Sequence, residues 1–154
     1  MVMKRILTLV FLVREDEILL GYKKRGFGVG LWNGFGGKVH DGEDIEEAAL
    51  RELEEETTLV ATDLTKHGII NFYFENDPEV LEVHVFSAMQ FVGEPQETEE
   101  MRPQWFDIGE IPYREMWPDD KFFLPLLLEG KRFGGDCHYK DKKTLLRSEI
   151  KEID

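Results

Sequence analysis

The chain has little cysteine, little positive charge and no long apolar run. Cys137 is the single cysteine among 154 residues. A lone thiol cannot close an internal disulfide, which excludes a cystine-stapled secreted scaffold and favours a reducing compartment, cytoplasmic, nuclear or mitochondrial matrix. Nineteen Lys and Arg stand against 32 Asp and Glu, for a formal net charge of −13. That balance argues against binding a nucleic-acid duplex, where cationic side chains must replace counterions. A small polyphosphate ligand stays open, provided divalent cations accompany it. Ile6–Val13 is strand-like but spans eight residues, far short of the ~20 that a bilayer crossing needs. Arg14, Glu15 and Asp16 follow it instead of a small-residue cleavage site, so neither a signal peptide nor a membrane anchor is expected. No repeat or low-complexity linker interrupts the chain, and one domain over residues 1–154 is expected, monomeric by default.

What is present is patterned. Ile6–Val13 and Glu17–Lys23 read as paired strands joined by the charged turn "REDE". "KKRGFGVGLWNGFGGKV" (23–39) holds six glycines and reads as a loop that bends tightly around something. "DGEDIEEAALRELEEET" is the clearest helix: Ile45, Ala49 and Leu53 recur every four residues, and Asp41 or Asp44 can cap its start. Further strands are expected at His67–Glu75, Glu79–Gln90 and Met101–Asp107. A second helix is expected in "WPDDKFFLPLLLEG", capped by Asp119 and closed near Gly130, with Pro125 as a flaw inside it. A final hairpin pairs Arg132–Tyr139 with Thr144–Ile153. This order of elements gives an α+β fold, a mixed sheet between helices.

The segment "RELEEETTL" crowds Glu52, Glu54, Glu55 and Glu56 into five residues. On a helix, Glu52, Glu55 and Glu56 share one face while Leu53 turns to the core and Glu54 to solvent. Like charges at that spacing repel, so the cluster is either a solvated acidic face or an oxygen-rich seat for a hard cation. The four histidines (40, 67, 84, 138) show no zinc-like spacing, and Cys137 has no visible activating partner.

The wider context decides between the two readings of the acids. Gly37, five residues, Glu43, seven residues, then Arg51-Glu52-Leu53-x-Glu55-Glu56 resembles the Nudix box, G-x5-E-x7-R-E-U-x-E-E-x-G-U. The chain departs from it once, with Thr58 in place of glycine before Leu59. The resemblance implies a Nudix α/β/α sandwich and hydrolysis of a nucleoside diphosphate linkage with Mg²⁺, for which Mn²⁺ can substitute. Glu52, Glu55 and Glu56 would hold the metal with the backbone carbonyl of Gly36, and Glu100 is a further ligand candidate from another segment. Glu43 and Arg51 would brace the loop against the helix. Glu56, or else Glu52 or Glu100, would take the proton from water. A β-branched residue resists positive φ, so Thr58 is expected to alter the helix exit while leaving the metal site intact.

The words "KKRGFGVGLWNGFGGKV", "EVHVF", "EMRPQWF", "IPYREMWPDD" and "PLLL" resemble the eukaryotic MutT-homologue branch, the oxidised purine nucleoside triphosphatases. That branch converts substrates such as 8-oxo-dGTP and 2-hydroxy-dATP to monophosphate and pyrophosphate, keeping oxidised bases out of DNA. Phe27, Phe72, Phe74, Met101 and Trp117 would wall a flat purine slot. Asn33, Asp119 and Asp120 would meet its polar edge, and Thr8 and Lys23 match positions near the base or sugar and near the phosphates respectively. Leu81 stands where the branch carries methionine. Each has a plainer reading too: Phe72 and Phe74 as one sheet face, Asn33 as a turn residue, the two aspartates as a helix cap. If the aspartates line the slot, burial and mutual repulsion should keep at least one protonated, able to donate to a base. Competing readings are another Nudix substrate, such as a dinucleoside polyphosphate, a nucleotide sugar or an RNA cap, and a catalytically silent nucleotide-binding module.

Overall fold

Consecutive residues of a strand face opposite sides of a sheet, so an unbroken apolar strand demands cover on both sides. The first strand, β1 (Met3–Arg14), is of that kind: Val10, Phe11 and Leu12 are all fully buried. The computed structural model describes residues 3–154. It places β1 at the middle of a mixed nine-stranded sheet.

Along the chain, β1 is followed by β2 (Glu17–Lys23), the short β3 (Trp32–Asn33), helix α1 (Ile45–Thr57) and β4 (Val60–Ala61). Then come β5 (Thr65–Phe74), β6 (Glu79–Ala88), β7 (Phe91–Val92) and β8 (Met101–Asp107). Two 3-10 turns, Ile108–Glu110 and Tyr113–Glu115, lead into α2 (Asp120–Leu128), and β9 (Arg132–Asp141), β10 (Thr144–Ser148) and β11 (Lys151–Ile153) close the chain. The main sheet runs β10-β9-β5-β6-β1-β2-β3, with β8 on β2 and β11 on β9. β4 and β7 form a separate two-stranded ribbon.

β1 and β2 pair as expected, but only near their turn, from Leu12↔Leu19 to Arg14↔Glu17. β1's long partner is β6, parallel from Met3↔Glu79 to Leu12↔Ala88, while β2 pairs along its length with β8. The sheet therefore splays, and the two arms separate around the glycine-rich loop.

Each sheet face has its own core. Val10, Leu12, Leu19 and Phe86 pack with Ala49 and Leu53 of α1. Phe11, Leu20, Ile70, Val83 and Val85 pack with Phe123, Leu124 and Leu127 of α2. Helix, sheet and helix form the α/β/α arrangement, held by apolar burial worth roughly 1.5–3 kcal/mol per large side chain. Pro125 persists inside α2 because the buried residues on either side of it seat the helix against the sheet, outweighing one lost backbone bond. Gly130, at φ +76°, ends that segment and donates to Leu127 O at 2.9 Å.

Three expectations need correction. Neither Asp44 at the start of α1 nor Asp119 at the start of α2 caps its helix through its side chain. The last strand is split: Ile150 turns inward to pack on the core, so β10 ends at Ser148 and β11 begins at Lys151. Thr58 does not alter the exit of α1. It takes the left-handed conformation itself, at φ 67° and ψ 3°, and donates its N–H to Glu54 O at 2.8 Å. Hydroxyl bonds offset the strain. Thr58 Oγ1 donates to Glu94 O at 3.0 Å, and Leu59 N–H donates to Thr57 Oγ1 at 3.0 Å. Removing that hydroxyl while keeping a Cβ leaves strain without compensation. Thr58→Ala is expected to lose about 1 kcal/mol in urea unfolding, and Thr58→Gly to be at least as stable as the parent. A more stable alanine variant would contradict this account.

Candidate active site

The carboxylates of α1 meet the glycine loop through close backbone approach. A Cβ on Gly36 would lie 1.8 Å from Thr8 O, and one on Gly37 within 2.8 Å of the Glu52 carboxylate. Only glycine lets the loop pass between β1 and α1. Thr8 N–H donates to Gly37 O at 2.9 Å, and Gly36 N–H donates to Glu56 Oε1 at 2.9 Å.

Arg51 is the local counter-charge. Its Nε donates to Glu43 Oε2 at 2.7 Å and its Nη2 to Glu43 Oε1 at 3.1 Å. Nη1 reaches Glu52 at 2.9 Å and Glu55 at 3.3 Å, and Nη2 also donates to Lys38 O at 3.1 Å. Glu43 takes the His40 N–H as well, at 3.0 Å. The bond from Arg51, then that from His40, holds the Glu43 carboxyl down to about 2. Loop and helix are thereby tied by a bidentate pair, as expected for Glu43 and Arg51.

Glu56 is the unusual acid. It is 4% exposed, and burial pushes it up to about 8 against the opposing pull of Gly36 N–H and Lys23. Glu52 is raised chiefly by burial too, with Glu55 and Glu100 adding repulsion. Glu52, Glu55, Glu56 and Glu100 line one cavity of about 430 Å³ with Gly36, Gly37, Lys23 and Arg25. Among the described residues, no three acids, histidines or cysteines converge at metal-ligand spacing. Glu52 and Glu55 lean instead on Arg51, and Glu100 on Lys23 and Arg25 at 3.8 Å each. The donor set is nonetheless all oxygen and strongly anionic, which suits a hard divalent cation.

A second cavity, of about 250 Å³, opens beside the first. All eleven residues expected at a purine slot line it: Thr8, Lys23, Phe27, Asn33, Phe72, Phe74, Leu81, Met101, Trp117, Asp119 and Asp120. The structure adds Leu7, Leu9, Gly34, Lys38 and Val83, which the sequence reading missed. Leu7, Leu9 and Val83 looked like ordinary core on central strands. Their exposure to the cavity follows from the splay of the sheet, which strand pattern does not encode.

Trp117 forms one wall, 5.1 Å from Phe27 between ring centres, and its Nε1 donates to Asn33 Oδ1 at 3.0 Å. Asn33 also donates to Leu31 O at 2.8 Å, so it orients Trp117 and keeps its turn at once. Phe27 is 64% exposed, which leaves the mouth apolar and open. Asp119 and Asp120 are 0% and 5% exposed. Tyr139 OH donates to Asp119 Oδ1, the backbone N–H of Asp119 donates to Tyr139 OH at 3.0 Å, and Asp119 Oδ2 is buried with no partner. Burial raises both aspartates, and each repels the other's charge. Tyr139 was read only as strand, and nothing local in the sequence marks its hydroxyl. Cys137 behind them is buried, its thiol pushed up to about 12 by burial and by Asp119, and is inert.

An aromatic slot with paired buried acids thus joins a carboxylate cavity on a glycine-loop-and-helix frame. The NUDIX domain family matches residues 3–127. The chain belongs to the Nudix family. Among its relatives, the oxidized purine nucleoside triphosphate hydrolase of Mus musculus is 50% identical over 97% of this chain and 96% of its own. The Danio rerio protein of the same description is 49% identical over the same shares. A solved MutT protein from Bacillus halodurans superposes with a TM-score of 0.85 over 95% of this Nudix chain and 97% of its own, at 26% identity.

The acid pair gives a stability signature. A carboxyl held protonated by the fold stabilises the native state below its ordinary pKa and loses that contribution as pH rises through the folded value. Asn removes the titration at near-constant shape. Asp120→Asn is therefore expected to gain on the parent by about 1 kcal/mol or more between about pH 5 and about pH 8, measured by urea unfolding. A gap independent of pH would overturn the assignment.

Proposed function

We propose that this Nudix hydrolase cleaves oxidised purine nucleoside triphosphates, of the 8-oxo-dGTP and 2-hydroxy-dATP kind, to the monophosphate and pyrophosphate. It would thereby clear damaged purines from the nucleotide pool of a reducing compartment, as a monomer. One observation carries the reading. The aromatic slot and the carboxylate cavity share Lys23, Gly36, Gly37 and Glu56, so a purine in the first delivers its phosphate tail into the second. The near-full-length likeness to the mouse and zebrafish hydrolases supports the substrate class.

Trp117, Phe27 and Phe74, whose rings pack on one another, give the base an aromatic wall, and Asp119 and Asp120 meet its polar edge. Lys23, at the junction of the cavities, binds phosphate oxygens as a point charge. Glu52, Glu55, Glu56 and Glu100, with the Gly36 carbonyl, would hold the divalent metal, Mg²⁺ or in its place Mn²⁺. Bound there, such a cation would supply charge neutralisation at the phosphates and an ordered water. Glu56 takes a proton from the attacking water as the α–β phosphoanhydride link breaks, and its burial raises its proton affinity to suit that work. Arg51 and Glu43 keep α1 and the loop in register while this happens.

A panel of oxidised and undamaged nucleotides with Mg²⁺, scored for pyrophosphate against orthophosphate, tests the proposal. The oxidised purine triphosphates should exceed dGTP and dATP in kcat/KM by about tenfold or more, with pyrophosphate the product. Equal handling, orthophosphate release, or preference for a dinucleoside polyphosphate or nucleotide sugar would sink it. Glu52→Gln and Glu56→Gln should each lower kcat by about 10²–10⁴ with the far-ultraviolet circular dichroism unchanged. Chelation should abolish turnover in the parent.

A further inference from the structure

We propose that Tyr139 is a positioning residue for base selection: its hydroxyl commits Asp119 to accept from the purine edge through Oδ2 and leaves Asp120 as the donor. The inference deepens the function proposed above and rests on it.

The geometry is specific. Tyr139 lies in β9, fully buried, across the core from the start of α2. Its hydroxyl receives the backbone N–H of Asp119 at 3.0 Å and donates to Oδ1 of the same residue. One phenol oxygen thus clamps both main chain and side chain of Asp119, and the carboxyl cannot rotate without breaking that bond. Oδ1 is used, and Oδ2 is the buried, unpartnered atom of a residue that lines the slot.

The ring is held by the walls of the slot themselves. It stacks on Phe74 at 5.5 Å and on Phe72 at 6.2 Å, and meets Trp117 edge-on at 5.5 Å. Base wall and base reader are therefore positioned by one side chain.

The clamp also breaks the symmetry of the acid pair. A phenol that donates to a carboxyl favours its ionised form, and it opposes the effect of burial at Asp119. The influences on Asp120 are burial and its neighbour's charge, both of which favour the proton. The other titratable groups facing the pair are Cys137 on β9 and Tyr113 ahead of α2, neither of them cationic. Lys23 and Glu56 line the same cavity. A proton shared by the pair accordingly rests on Asp120, so the slot offers one acceptor and one donor side by side.

Such a pair discriminates among purine edges. A guanine-type edge presents N1–H and N2–H as donors and O6 as acceptor, so it depends most on an acceptor held in place. An adenine edge left unmodified, as in 8-oxoadenine, presents N6–H as its one donor beside the acceptor N1. Tyr139→Phe keeps the ring and removes the clamp.

The test compares the parent, Tyr139→Phe, Asp119→Asn and the double variant on 8-oxo-dGTP and 8-oxo-dATP across pH. In Tyr139→Phe the acid limb of kcat/KM should move up by about one pH unit, because Asp119 keeps its proton longer. The guanine-to-adenine preference should fall about fivefold or more. In the Asp119→Asn background both effects should vanish. An unchanged limb and preference in Tyr139→Phe, or effects that persist with Asp119→Asn, would overturn the inference and leave Tyr139 as packing. If Tyr139→Phe fails to fold, carboxyl-carbon NMR of the parent decides: Asp119 must lose its proton at lower pH than Asp120, and the reverse order overturns the inference. A parent with no preference for oxidised over undamaged purines removes the proposed function instead, whereas the NMR order still reads the clamp by itself.

Discussion

Carboxylates crowded onto one turn of helix repel, and the fold around α1 is arranged to contain that repulsion. Arg51 spreads its guanidinium over Glu43, Glu52 and Glu55, while Glu56 is tied to the backbone of the glycine loop. The price in placement is high, since Gly36 and Gly37 admit no side chain where the loop meets β1 and α1. Anionic oxygens held this way are pre-organised for a cation and face into one cavity rather than dispersing into solvent.

That acidic cavity would serve any diphosphate, so selectivity lies elsewhere. The splay between the β1–β6 and β2–β8 arms leaves space that side chains from both sheet arms, the loop and α2 enclose. Into this apolar space the chain places two aspartates, which burial makes reluctant to ionise. Two groups of acids thus have different partners: Glu43, Glu52 and Glu55 are countered by Arg51, with the buried Glu56 tied to Gly36 N–H. Among the described residues the two aspartates meet no cation and are backed by aromatic rings. Arginine favours charge on its carboxylate partners, and desolvation favours a proton on the aspartates.

Much was legible along the chain. The four-residue stripe of α1 falls where pattern placed it, and β8 spans Met101–Asp107 as expected. The box spacing marked Glu43 and Arg51 as a brace. The exit of α1 was misread because the rule against positive φ for a β-branched residue weighs the backbone alone, whereas the Thr58 hydroxyl bonds Glu94 O from a distant segment. The split of the last strand escaped notice for a similar reason: Ile150 answers to a core assembled from distant segments.

Asp119 and Asp120 mark the boundary between what the chain dictates and what the fold decides. By itself the sequence determined a buried first strand, an amphipathic acidic helix and a glycine loop, because periodicity and backbone sterics act over a few residues. Only the tertiary structure decided that the two aspartates forgo capping α2 and face a cavity, that Tyr139 reaches across to one of them, and that Leu7, Leu9 and Val83 border the same cavity. Burial and hydrogen-bond partnership depend on which distant segments close over a group, and those distances exist only once the sheet has formed.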